Sequence, residues 1–216
     1  MTIVQKGDFV RINYIGRLES GDIFDLTYED VAKKEKIFNS KFLYRPVPII
    51  VGENFILPKL EELIIGMEIG KKAHFRISPD DGFGKRRPDM VRVFPKRVFR
   101  EKNIQPGMIV DVDGTRGRIQ SINAGRVRID FNNPLAGKIL EYDVDVVEKI
   151  TSPENQIKAV FEFFGIEVNV KIENKEAVIE TSIILPPELK QRISDVIIKN
   201  VSEIERIKYI EIFGKK

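Results

Sequence analysis

The chain contains no cysteine and no tryptophan, and His74 is its single histidine. Without cysteine there can be no disulfide, no thiolate nucleophile and no cysteine-ligated metal, and one histidine cannot form a histidine cluster. A metal site would need carboxylates alone, and no acidic loop has the spacing of a calcium site. We therefore expect no metal and no cofactor.

Long apolar runs are also missing. No segment approaches the roughly 18 apolar residues that a membrane-spanning helix needs, and the N-terminal residues Met1 to Lys6 lack the apolar stretch of a secretory signal. We expect a cytoplasmic protein that has no membrane partner. Its 216 residues suffice for one large domain or two to three small ones, and its many Ile, Lys, Glu and Arg residues are typical of heat-adapted proteins.

Charge is distributed unevenly along the chain. Twelve basic and five acidic residues lie between Lys85 and Phe131, so this segment carries +7, and the rest carries 3 minus 7, or −4. A basic module inside an otherwise acidic chain indicates a domain boundary and an acidic or polyanionic partner.

The N-terminal segment reads as a β-hairpin. Val10, Ile12 and Tyr14 alternate along one strand face, Ser20-Gly21 is a turn, and Ile23-Phe24-Asp25 begins the return strand. Two rings and one candidate buried acid, Asp25, thus lie at one strand end. Burying a carboxylate costs free energy unless hydrogen bonds are donated to it. An ordinary hairpin, with Phe24 in the core and Asp25 at a turn, remains open.

Further elements follow along the chain. A short helix is expected near residues 30–35, and a second helix begins at Pro58 and stops at Gly66. Between Val91 and Phe131 the pattern changes to short alternating strands joined by the turns Asp113-Gly114-Thr115 and Asn123-Ala124-Gly125. Beyond Ile150 the pattern predicts an α-β-β-α-β order, with Ser152 as the first N-cap.

Several of these segments resemble the FKBP-type peptidyl-prolyl isomerases. Gly52 and the run from Ile56 to Gly70 resemble the family's pocket-floor helix, and Ser78-Pro79-Asp80-Asp81-Gly82-Phe83-Gly84 resembles its S-P-x-x-A-Y-G loop. Leu135-Ala136-Gly137-Lys138, with the strand through Tyr142, resembles the re-entry after the chaperone insert of SlyD-type members. The long excursion from Leu26 to Arg45 and the extra terminal segment resemble the large archaeal branch.

The resemblance implies an α+β fold in which an antiparallel sheet wraps on a helix. It implies a discontinuous isomerase domain of residues 1–84 and 132–150, an inserted small all-β domain of residues 85–131 and a C-terminal α-β-β-α-β domain of residues 151–216. It also implies catalysis of X-Pro rotation in unfolded or proline-containing polypeptides, without a nucleophile. The open sheet of the last domain predicts a homodimer, and an intramolecular clamp beside the pocket is the alternative.

Carried over by position, two sets of residues fall in the proline pocket. The catalytic set is Tyr14, Phe24, Asp25, Ile56, Phe83 and Tyr142. The substrate-binding set is Val47, Leu57, Leu60 and Leu135. Asp25 would contribute its carboxylate, and Ile56 would donate its backbone N–H to a substrate carbonyl. Core packing stays open for Ile56, Leu57, Leu60 and Tyr142, and loop anchoring for Phe83.

This chain departs from the family at three pocket positions. Val47 and Leu60 stand where many members have Phe and Trp, and Phe83 replaces the loop Tyr. The expected pocket is therefore smaller and lacks one hydroxyl, which places macrolide binding in doubt.

The insert is expected to hold unfolded chains through apolar side chains. The candidates are Val93, Phe94, Val98, Phe99, Met108 and Ile109. The alternative is contact between Arg116, Arg118, Arg126 and Arg128 and the phosphates of RNA, with the isomerase fold as a scaffold. Stacking aromatics are sparse there, which counts against single-strand recognition.

Overall fold

The computed structural model describes residues 2–99 and 103–213. They form a mixed α and β structure with two compact units, residues 77–140 and residues 1–76 with 141–216. The division expected from the sequence, with boundaries at 84, 131 and 150, stays a prediction. No helix within the described ranges is long and apolar enough to cross a membrane.

The unit of residues 1–76 and 141–216 begins with a five-stranded sheet. Its strands are β1 (Phe9–Leu18), β2 (Ile23–Leu26), β3 (Val47–Ile50), β4 (Lys72–Ile77) and β9 (Leu140–Lys149). The strand order is β2-β1-β9-β4, and β3 also pairs with β1. The hairpin turn predicted at Ser20-Gly21 is confirmed by Gly21 at φ +90°.

Two short helices lie between strands of this sheet in the sequence. They are α1 (Glu29–Lys34) and α2 (Pro58–Ile64). The predicted helix start at Pro58 is confirmed, and Gly66 follows the end of α2 at φ +88°, a conformation that favours glycine. Leu60, Glu61 and Ile64 form the buried face of α2.

The last third of the chain has its elements in the order α-β-β-α-β. They are α3 (Pro153–Phe163), β10 (Asn169–Glu173), β11 (Glu176–Thr181), α4 (Pro187–Asn200) and β12 (Arg206–Glu211). Buried side chains of these elements share one apolar cluster with Phe9 of β1 and Ile50 of β3. The Ser152 side chain makes no capping hydrogen bond; its backbone carbonyl accepts from the Gln156 N–H at 2.8 Å instead.

The unit of residues 77–140 is built on a four-stranded antiparallel sheet in the order β5-β8-β7-β6. Its strands are β5 (Val91–Pro95), β6 (Ile109–Val112), β7 (Thr115–Asn123) and β8 (Arg126–Asp130). Both predicted hairpin turns are confirmed, since Asp113, Gly114, Ala124 and Gly125 all have positive φ, as two-residue hairpin loops require. The core of this unit is formed by Ile104, Val112, Ile119, Val127 and Ile129.

Candidate active site

A β-bulge sets the direction of the key side chains on β2. Asp25 pairs with Gly16 and Ile23 pairs with Arg17, so Phe24 is an additional residue opposite β1. In a regular strand Phe24 and Asp25 would point to opposite faces, and a bulge re-aims side chains at such a point. The bulge therefore explains how neighbouring residues can serve one site.

Three aromatic rings meet at this bulge and form what we call the ring cluster: Tyr14, Phe24 and Tyr142. The Tyr142 ring lies edge-on to both others, with centroids 5.6 Å from Phe24 and 6.0 Å from Tyr14. Gly16 lies against the rings of Phe24 and Tyr142. A Cβ there would lie 2.7 Å from Phe24 Cζ and 3.1 Å from Tyr142 Cε1, so only glycine allows this approach.

Asp25 is solvent-exposed, so the expectation of a buried acid is wrong. Its Oδ2 accepts a hydrogen bond of 2.8 Å from the Tyr14 hydroxyl. This bond links the carboxylate to the ring cluster without the free-energy cost of burying a charge. Asp25 thus lies at the rim of the cluster.

The tyrosines of the cluster are held in their neutral form. Burial raises the pKa of Tyr14 well above its usual value, and the charge of Asp25 adds to the effect. Burial also raises the pKa of Tyr142 to about 12, again with a contribution from the Asp25 charge. Both hydroxyls therefore keep their protons at neutral pH.

Glu61 is the buried acid of this part of the chain, with 1% of its surface exposed. Its carboxylate accepts three backbone hydrogen bonds from the loop before α2, from Gly52 at 2.7 Å, Asn54 at 3.0 Å and Ile56 at 2.9 Å. These bonds satisfy the carboxylate and hold the loop on the helix. The sequence alone assigns no separate role to Glu61, although the first turn of a helix is a favourable place for a carboxylate.

The Ile56 N–H is not available to a substrate, because it donates to Glu61 Oε1. The expectation that it donates to a substrate carbonyl is therefore wrong. The next amide, that of Leu57, has no hydrogen-bond partner among residues 2–99 and 103–213. Leu57 itself is half-buried at the N-cap of α2, and the Leu60 side chain is 1% exposed, so Leu60 belongs to the core.

The other predicted pocket residues are placed as follows. Val47 is half-buried and pairs with Ile12, two residues before Tyr14 on β1. Phe83 is 39% exposed in a turn, and Leu135 is half-buried in the loop before β9; both belong to the unit of residues 77–140.

Four of the six apolar candidates in residues 85–131 are exposed. The exposed fraction is 57% for Val93, 53% for Val98, 42% for Met108 and 67% for Ile109. Val98 and Ile109 help to line a groove of about 520 Å³. Phe94 and Phe99 are half-buried and pack against the core of this unit, and Phe99 also lines the groove. Binding of client chains by these two rings stays a prediction.

His74 takes part in an exposed polar contact. Its Nδ1 lies 2.9 Å from Asp143 Oδ1, and Arg17 contacts the other oxygen of Asp143 at 2.6 Å. No group of three or more His, Asp or Glu in the described part of the chain has an arrangement that could hold a metal. The ring cluster and its rim carboxylate supply an apolar surface and hydrogen-bonding groups for a bound peptide.

Three relatives of this chain in sequence are peptidyl-prolyl cis-trans isomerases. The short-type peptidyl-prolyl cis-trans isomerase of Methanocaldococcus jannaschii is 33% identical over 148 residues, which cover 68% of this chain and 94% of that protein. The FKBP-type 16 kDa peptidyl-prolyl cis-trans isomerase of Escherichia coli is 31% identical over 131 residues, 58% of this chain and 86% of the relative. The SlyD isomerase of Haemophilus influenzae is 27% identical over 136 residues, 61% of this chain and 72% of the relative.

A family model also matches inside the basic segment. It is described as the IF domain of FKBP26 and covers residues 92–135. This range contains the strands β6, β7 and β8 and most of β5.

Proposed function

Because the chain belongs to the family of FKBP-type peptidyl-prolyl cis-trans isomerases, we propose that X-Pro bonds rotate against the ring cluster of Tyr14, Phe24 and Tyr142. The observation that carries this proposal is the convergence of the three rings, two of them against Gly16, with Asp25 hydrogen-bonded to Tyr14 at the rim. The bulge at Phe24 accounts for that convergence.

The mechanism requires no covalent step. Amide resonance keeps the X-Pro bond planar and raises a barrier of about 18 to 20 kcal/mol to rotation. The planar amide has charge separation that the twisted amide loses, so a water-poor aromatic surface favours the twisted form relative to the ground state. Each 1.36 kcal/mol of this preference gives about a tenfold gain in rate.

The hydrogen-bonding groups would hold the peptide in one position. We assign the donor role for a substrate carbonyl to the Leu57 N–H, because the Ile56 N–H already donates to Glu61. The Asp25 carboxylate, oriented by the Tyr14 hydroxyl, would face the peptide from the rim. Ile56, Val47 and Leu60 would then shape the pocket through packing, and the contributions of Phe83 and Leu135 stay predictions.

The insert is proposed to hold unfolded client chains and to raise the concentration of their prolines near the pocket. The exposed side chains of Val93, Val98, Met108 and Ile109 support this role. The match to an IF domain and the SlyD relative support the same division into an isomerase and an inserted domain of a long, archaeal-type member. The named relatives are isomerases and give no support to the RNA-binding alternative.

A homodimer through residues 151–216 is part of the proposal. Exposed apolar side chains gather where β11 and β12 end, at Ile183, Ile184, Ile212 and Phe213. Light scattering on Ile184→Lys tests this surface, with Ile198→Lys on α4 as the control. A truncation at Ile150 would be less informative because it would uncover Phe9 and Ile50.

A refolding assay limited by proline isomerisation tests whether the insert holds client chains while the rest of the chain catalyses X-Pro rotation. The full chain is compared with a variant in which a short loop replaces residues 85–131. We expect the variant to lose acceleration of protein refolding and to retain turnover of a proline tetrapeptide. Equal acceleration by both proteins would contradict the holding role.

A further inference from the structure

One face of the inserted sheet carries a row of arginines on its two central strands. We call it the arginine face and define it by Arg116 and Arg118 on β7 and Arg126 and Arg128 on β8. These side chains alternate with the buried Gly117, Val127 and Ile129, so they point away from the core. All four arginines are solvent-exposed.

The charges of the arginine face are only partly balanced, since Asp111 lies directly opposite Arg116 and Asp130 directly opposite Arg118. Within residues 2–99 and 103–213, none of its four guanidinium groups forms an ion pair or a side-chain hydrogen bond with a carboxylate. By contrast, Arg86 pairs with Asp130 and Arg87 pairs with Asp89 in the same unit. A face with this excess of positive charge attracts a partner of the opposite sign.

The arginine face is also partly apolar. Val93 on β5 lies directly opposite Arg128, and Ile109 on β6 lies directly opposite Arg118. These two are 57% and 67% exposed and belong to the outer strands of the sheet. Each exposed aliphatic side chain therefore stands beside an unpaired arginine.

The rings of this unit lie elsewhere. Phe94 and Phe131 pack edge to face, with ring centroids 6.0 Å apart, and both pack on the core cluster. The arginine face as defined offers no ring on which a nucleic-acid base could stack, which disfavours single-stranded RNA as its ligand.

We propose that the arginine face binds polypeptide segments in which carboxylates lie between apolar residues. The segment would place apolar side chains against Val93 and Ile109 and its acids against the central arginines. Strands β5 and β6 are three strand spacings apart, about 14 Å, and the rows of Val93 and Ile109 are also offset along β7. An extended chain therefore needs at least about four residues to reach from one to the other. The preferred segment is thus an apolar residue, several acids and a second apolar residue about four positions on. This inference rests on the proposed holding function of the insert.

Binding of three labelled peptides to the full-length protein, followed by fluorescence anisotropy, tests this inference. All three lack proline, so that binding in the isomerase pocket does not contribute to the anisotropy signal. They share two leucines four positions apart. The intervening residues are Glu in one, Gln in the second and Lys in the third. The variant is Arg118→Gln with Arg128→Gln, and the matched control is Arg92→Gln with Arg97→Gln, which removes the same charge outside the face.

The Glu peptide is expected to bind about 3- to 10-fold more tightly than the Gln peptide, as two exposed ion pairs allow. High salt and the Arg118/Arg128 variant should remove this preference, while the Arg92/Arg97 control should keep most of it. Equal binding of the Glu and Gln peptides overturns the inference and leaves the holding role intact. Binding of neither peptide overturns both, and turnover of a proline tetrapeptide shows separately whether the isomerase is active. Tighter arginine-dependent binding of a single-stranded RNA than of the Glu peptide also overturns the inference.

Discussion

The backbone N–H of Ile56 donates a hydrogen bond of 2.9 Å to the buried carboxylate of Glu61. Two further amides of the same loop donate to this carboxylate. Glu61 thus fixes the path of the chain into α2, and the next amide, that of Leu57, has no acceptor within the described ranges 2–99 and 103–213.

Glu61→Gln is expected to lower the free energy of unfolding by about 2 to 3 kcal/mol, since the amide cannot accept all three bonds. Urea unfolding measures the change. The control is Glu62→Gln, because Glu62 is exposed and pairs with Lys59 on the helix surface; we expect a change within about 0.5 kcal/mol. Equal losses for the two variants would show that the three bonds do not stabilise the loop.

Gly16→Ala is expected to reduce the catalytic efficiency of the isomerase more than it reduces stability. The new methyl group would lie 2.7 Å from Phe24 Cζ, so the ring must move. Gly16 does not have a positive φ, and alanine therefore introduces no backbone strain. A tetrapeptide assay and a thermal melt of the same preparation measure the two effects; unchanged turnover would contradict a role for the ring positions.

Parts of the fold and of the site could be predicted from the sequence, for identifiable physical reasons. The Asp113-Gly114 turn and the helix start at Pro58 follow from local backbone preferences, and the alternation of Val10, Ile12 and Tyr14 marks a strand face. The exposure of Asp25 and the donor role of Ile56 could not be settled in this way. They depend on the bulged register of β1 with β2 and on the side-chain direction of Glu61, whose buried carboxylate accepts from the loop before α2; residue patterns specify neither.

Tyr14→Phe is expected to lower kcat/KM by about 3- to 10-fold and to leave stability nearly unchanged. The variant removes the hydrogen bond to Asp25, but Asp25 is exposed and water can replace the hydroxyl. Tyr44→Phe, which removes a hydroxyl bonded to the Asn39 N–H, is the matched control. A loss as large as that of a ring deletion would mean that the hydroxyl, not the ring, is the main contribution of Tyr14.

Acid stability is expected to depend on Glu162 of α3. Arg11 on β1 donates to both of its oxygens, at 2.9 and 2.7 Å. Burial alone would raise the pKa of Glu162, but the hydrogen bond from Arg11 and the charges of Arg11 and Arg45 outweigh it and lower the pKa. A lowered pKa in the folded state stabilises the fold above the ordinary glutamate value of about 4.3, and this stabilisation is lost as the pH falls through the folded value.

Urea midpoints of the wild type and Glu162→Gln across acid pH measure this contribution. The wild type should be the more stable protein at pH 6, and its advantage should shrink as the pH falls below about 4. An advantage that stays constant over this range would contradict the linkage.

The catalytic efficiency of Phe24→Ala on a proline tetrapeptide tests the central claim most directly. Phe42→Ala, which removes a ring that is 66% exposed and lies outside the cluster, serves as the control. We predict a loss of at least about tenfold for Phe24→Ala, because one wall of the water-poor surface is removed, and wild-type turnover for Phe42→Ala. Wild-type turnover by Phe24→Ala would contradict the assignment of the ring cluster as the active site.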